Sequence, residues 1–124
     1  MKWAGLLLFA TLSASASCPL PNSALQQDGV QLSWQLDRVP SITLSQHFAL
    51  RVQVCPKDAV LTRVDATMPE HKHGMNYRPS IQSTGEGWWQ VEGLLFHMPG
   101  KWSLRFDIAS AGKITSLHDP ITLP

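Results

Sequence analysis

The chain has 124 residues, 44% of them hydrophobic, with 10 Lys+Arg against 9 Asp+Glu and a formal net charge of +1. That length suits one domain around one core. A near-neutral balance with no basic run gives no pull toward nucleic acid or an anionic membrane.

The first residues read as a leader. Met1-Lys2 is positive, Trp3 to Leu12 is a short apolar run, and Ser13 to Ser17 are all small. That order is the secretory pattern, and Ala14-Ser15-Ala16 fits the A-x-A cleavage rule. Residues 1–17 are therefore expected to be a signal peptide and 18–124 a single β-sandwich domain, periplasmic or secreted. The apolar run is shorter than the ~20 residues a spanning helix needs, and no second one follows, so no transmembrane span is expected in the mature chain. Losing Lys2 leaves nine basic against nine acidic residues.

The chain has two cysteines, Cys18 and Cys55. An even count in an exported chain favours a disulfide between them, stapling the N-terminal arm to a strand end. The alternatives are a lipid anchor on Cys18 with Cys55 left alone, or two free thiols. Ser15 stands where lipoprotein signals carry leucine, which weighs against the anchor.

Alternation of apolar and polar residues then dominates. Val30 to Leu36 alternates without a break. Phe48 to Val54 places Phe48, Leu50, Val52 and Val54 on one face. Val60 to Thr67 is a third strand, Trp88 to Leu94 a fourth and Trp102 to Ile108 a fifth. Ile114 to Leu117, continuing to Leu123, is the last. Turn residues fill the gaps, among them Pro40, Pro56-Lys57-Asp58, Gly85-Glu86-Gly87, Pro99-Gly100 and Ala111-Gly112. The expected fold is all-β: an immunoglobulin-like antiparallel β-sandwich of about seven strands, with a small barrel as the alternative. Trp34, Phe48, Leu50, Val52, Leu104, Phe106 and Ile108 are its expected core. Met68 to Ser83 is expected to be one long irregular loop, where function tends to sit on a rigid scaffold.

That loop opens with M-P-E-H-K-H-G-M, Met68 to Met75, and F-H-M-P-G-K-W follows later, Phe96 to Trp102. In an extended backbone His71 and His73 face one side. Gly74 would allow the turn that returns Met75 toward them. Met68 precedes through Pro69, and His97 and Met98 would face opposite ways on a strand. Imidazole with thioether is a copper preference, Cu(I) above all, whereas methionine is a poor zinc ligand. His71, His73, Met75, Met98, Met68 and His97 are the candidate metal ligands. Read without a metal, Met68 and Met98 are core plugs, His97 is a half-buried histidine, and the prolines and glycines are turn chemistry. His47 and His118 carry no expected role.

Nothing points to catalysis. There is no G-x-S-x-G and no carboxylate pair at a working spacing. Gly85-Glu86-Gly87 is a hairpin turn with no helix after it, so it is not a phosphate loop. Trp88 and Trp89 put one indole on each face of their strand, one for the core and one for a surface.

The run Ala66 to Met75 resembles the M-P-x-H-x-H-G-M signature of YtkA-like domains. Val91 to Trp102 resembles the G-L-x-F-x-M-P-G-x-W block of the same family, with the G-x-G-x-W strand between the two. The resemblance covers about Ser45 to Ile108. It implies a small extracytoplasmic sandwich related to the FixH proteins of cytochrome oxidase assembly, and carries over His71, His73, Met75 and Met98. FixH-type proteins keep a membrane anchor, whereas this chain is expected to carry a cleavable leader, a departure that speaks against a direct role inside a membrane oxidase complex. The expected function is therefore a non-enzymatic copper-binding or trafficking domain, whose partner is a copper-transfer or membrane redox-assembly protein. The alternative is an extracytoplasmic interaction module without metal, anchored on Trp88 or Trp89.

Overall fold

The computed structural model describes residues 4–8, 20–21 and 23–124. Most of the expected signal peptide, and Cys18 with it, lies outside the described residues. Among the described residues there is no helix, so none is long and apolar enough to cross a membrane.

Among the described residues nine strands run in chain order: β1 (Leu25–Gln27), β2 (Val30–Asp37), β3 (Phe48–Cys55), β4 (Val60–Met68), β5 (His73–Gly74), β6 (Ser80–Gly85), β7 (Trp88–Leu94), β8 (Gly100–Ser110) and β9 (Lys113–Leu123). Every pairing is antiparallel. One sheet has the order β1-β2-β3-β7-β6, the other β5-β4-β8-β9. With β2, β3, β7 and β6 as A, B, E and D, and β4, β8 and β9 as C, F and G, this is the immunoglobulin arrangement. β5 then stands as a short C′ strand and β1 is extra. The expected count of about seven strands is thus low. The three strands beyond the six named segments, β1, β5 and β6, are short or polar edge strands.

The alternating residues explain the two-layer core. Leu32, Leu50, Val52, Val91, Leu104, Phe106 and Ile108 are fully buried between the sheets. Trp34 departs from expectation: it is only half-buried, because its indole N–H reaches out to donate to Asp119 Oδ2 at 2.8 Å. The glycine-bounded hairpin between β6 and β7 forms as expected. Gly87, at φ +80°, lies so close to β3 that an added Cβ would stand 2.7 Å from the Val54 carbonyl oxygen. Cys55 is buried at 4% exposure and is bridged rather than free.

The connections sort by end. The β3–β4 turn and the β6–β7 and β8–β9 hairpins lie at one end. The β2–β3 loop, the β4–β5 turn, the 75–79 crossing and the 95–99 crossing lie at the other. His47, His71, His73 and His97 all sit in or beside this second group of loops, as do Met68, Met75 and Met98.

Candidate functional site

The first motif is a hairpin rather than a loop. Thr67 pairs with Gly74 and Met68 with His73. Pro69 to Lys72 make the turn, closed by the His71 N–H donating to the Met68 carbonyl at 3.1 Å. The left-handed residue of the turn is Lys72, at φ 53°, not Gly74. The expected long irregular stretch therefore holds β5 and most of β6. His71 and His73 also do not share a face by extended alternation. The turn brings their rings together instead, with centroids 6.4 Å apart and planes 24° from parallel. Both side chains are exposed. His73 stands across from Met68 and so shares its face of the sheet. The Met75 N–H donates to the Ala66 carbonyl at 3.2 Å, continuing the ladder one step. Its side chain is half-buried against the core.

The second motif is the crossing from β7 to β8. Residues 95–99 are not a strand, so the expected opposite facing of His97 and Met98 does not arise from a pleat. Phe96 is fully buried and stacks on Trp102, centroids 4.5 Å apart. The Trp102 indole N–H donates to the Met98 carbonyl at 2.9 Å, which pins the crossing. His97 meets Trp102 edge to face at 5.6 Å. Its Nδ1 is buried without a hydrogen-bond partner. A buried polar atom of this kind costs about 1–3 kcal/mol if nothing satisfies it. Met98 is half-buried against the core.

The fold brings the two motifs together. Thr67 pairs with Ser103, the Met68 methyl lies against Gly100, and Glu70 bridges to Lys101 at 3.7 Å. The six candidates nonetheless fall into three settings. Met68 is core, 1% exposed. His71 on the turn and His73 on β5 are outside. Met75, Met98 and His97 are half-buried between these. Among the described residues no three of His, Cys, Asp and Glu gather as a metal-holding group.

One contact here had no signal in the sequence. His47 packs edge-on to Tyr77, 5.2 Å between centroids, from residues thirty positions apart with no motif around either. The two tryptophans split as expected: Trp89 turns inward with a buried, unpartnered Nε1, and Trp88 turns outward under the Arg51 guanidinium at 4.9 Å.

On the outer face of the second sheet, far from the loops, Asp107 is 7% exposed. It accepts from Arg105 at 2.9 Å and from Ser116 at 2.7 Å. Burial pushes its carboxyl up. The hydrogen bonds from Arg105 and Ser116, with the charges of Arg105 and Arg63, outweigh that and hold it below the usual 3.8.

Compared with models of known families, with curated proteins and with solved structures, the chain matches none. The likeness to YtkA-like domains rests on the two quoted motifs.

Proposed function

We propose that this chain is an exported, non-enzymatic domain that binds and passes on copper, Cu(I) above all, at the loop end of the sandwich. The observation that carries the reading is the buried, unpartnered Nδ1 of His97, set in the crossing that also holds Met98. A soft cation on that nitrogen would supply the missing partner, and Met75 and Met98 offer polarisable sulfur at the same end. The exposed His71/His73 pair supplies further imidazole where a partner could reach it. Few ligands near solvent suit release by ligand exchange. Export through residues 1–17, and a Cys18–Cys55 bridge that keeps thiols out of the site, belong to the same reading.

The test is titration of the purified domain with Cu(I) against a competing chelator, with Zn(II) and Cu(II) as controls. One-to-one Cu(I) binding that weakens at least about tenfold in His97→Ala and again in Met75→Leu supports the reading. Binding no tighter than that of a generic exposed histidine pair, or binding untouched by either substitution, overturns it.

A further inference from the structure

The strand β5 is two residues long, and it covers β4 only at Thr67 and Met68. From Val60 to Ala66 that side of β4 has no partner strand among the described residues. Backbone groups alternate in direction along a strand. The Ala66 carbonyl points to this open side, where it accepts from Met75. Val64, two residues earlier, turns its N–H and C=O to the same side, where no described strand is hydrogen-bonded to it. The opening ends there, because Asp65 Oδ1 takes the Ala66 N–H at 2.8 Å.

A cleft of about 550 Å³ runs along this edge. One wall is four consecutive residues of β4, Thr62 to Asp65, and the other is the 75–79 crossing with Ile81 of β6 behind it. Tyr77, 51% exposed, and Arg78 stand on that second wall. Arg63 is tied to Asp65 at 2.8 Å. Arg78 makes no ion pair or hydrogen bond among the described residues. The cleft therefore carries an uncompensated positive charge beside an unpaired strand edge.

We infer that this cleft takes an extended, acidic peptide segment of a partner protein, adding to β4 as a strand. The peptide backbone exchanges hydrogen bonds with Val64, and its carboxylate meets Arg78. An edge with unpaired N–H and C=O is a template for such pairing, and the free guanidinium selects the charge of the segment that pairs. Met75 lines the cleft as well as the candidate metal end. That a docked segment exchanges copper there rests on the copper reading; the docking itself does not.

The experiment is selection from a random displayed heptapeptide library on the metal-free full domain, so that its outcome is independent of the copper titration. Selected peptides are expected to carry Asp or Glu. Their affinity should fall about tenfold or more in Arg78→Glu and be largely kept in Arg78→Lys. Methylating the peptide backbone nitrogens one at a time should cost about tenfold at the position facing Val64 and little at the outward-facing ones. The amide resonance of Val64 should shift on binding. A selection that enriches nothing, or enriches basic peptides, overturns the inference. So does binding unchanged by Arg78→Glu or by N-methylation at every position.

Discussion

The terminal methyl of Met68 rests against Gly100, so closely that a Cβ on the glycine would stand 3.0 Å from it. Gly100 also holds φ at +120°, a region that L side chains rarely adopt. Two costs thus oppose any side chain there, and they differ in size. The methionine methyl is the far end of a flexible chain and can move. The backbone cannot relax without disturbing the start of β8. Gly100→Ala should therefore lose about 1–3 kcal/mol, nearly all of it backbone strain. Thermal unfolding of Gly100→Ala with and without Met68→Ala separates the two. Additive losses fit a backbone origin, while rescue by the smaller residue 68 would show that the contact dominates.

Met68 itself is core, whatever its place in the motif. Met68→Ala should cost about 2–5 kcal/mol through the cavity it leaves. Met68→Leu nearly conserves volume and should cost less than about 1.5 kcal/mol. The leucine variant should also bind Cu(I) as the parent does. A large loss of copper affinity in a stably folded Met68→Leu would move the site into the core.

The Asp107 network sets a pH dependence. Its carboxyl is held lower in the folded chain than the usual 3.8. The folded form therefore carries fewer protons than the unfolded one between the two values. The stabilisation is complete above the unfolded value and is lost as pH falls through the folded one, below 3.8. Asp107→Asn should be about 1–3 kcal/mol less stable at neutral pH, since Arg105 and Ser116 lose a charged acceptor. Its stability should change less than the parent's below that pH. Denaturant melts across the acid range of both proteins give the comparison, and parallel curves would rule the network out as the source.

Cys55 is bridged and buried, and Cys18 is the chain's other cysteine. Mass spectrometry of the non-reduced mature protein should show the oxidised form. Reduction should lower stability by about 3–4 kcal/mol. Two thiols that react freely with a maleimide before any reductant is added would remove the bridge from the account.

Six of the strands were legible because each buries one face and so writes a period of two into the sequence. Val30–Leu36, Phe48–Val54 and Trp88–Leu94 match β2, β3 and β7 to within a residue. β6, Ser-Ile-Gln-Ser-Thr-Gly, was not legible: as an edge strand it turns only Ile81 toward the core, and one apolar residue makes no pattern. β5 is two exposed residues and owes its existence to pairing with β4, which no local signal records. The same limit applies at the candidate site. Residue types marked both motifs, and their order implied nothing about distance. That Met68 is buried while His71 and His73 are exposed follows from a turn at Lys72, a residue with no special propensity for left-handed backbone. The orphaned Nδ1 of His97 depends on how Trp102 packs, which lies beyond any spacing rule.

The long pairing of β8 with β9 has a practical consequence at the bench. It runs unbroken from Ser110–Lys113 back to Gly100–Leu123, so the last strand returns to the His/Met end and stops beside Gly100. Anything fused after Pro124 leaves from that same rim. A C-terminal polyhistidine purification handle would hang next to His97 and Met98 and would sequester copper on its own account. A docked fluorescent protein would crowd the loops it was meant to report on. Affinity measurements on this domain therefore call for protein whose C-terminal handle has been cut away or was never added.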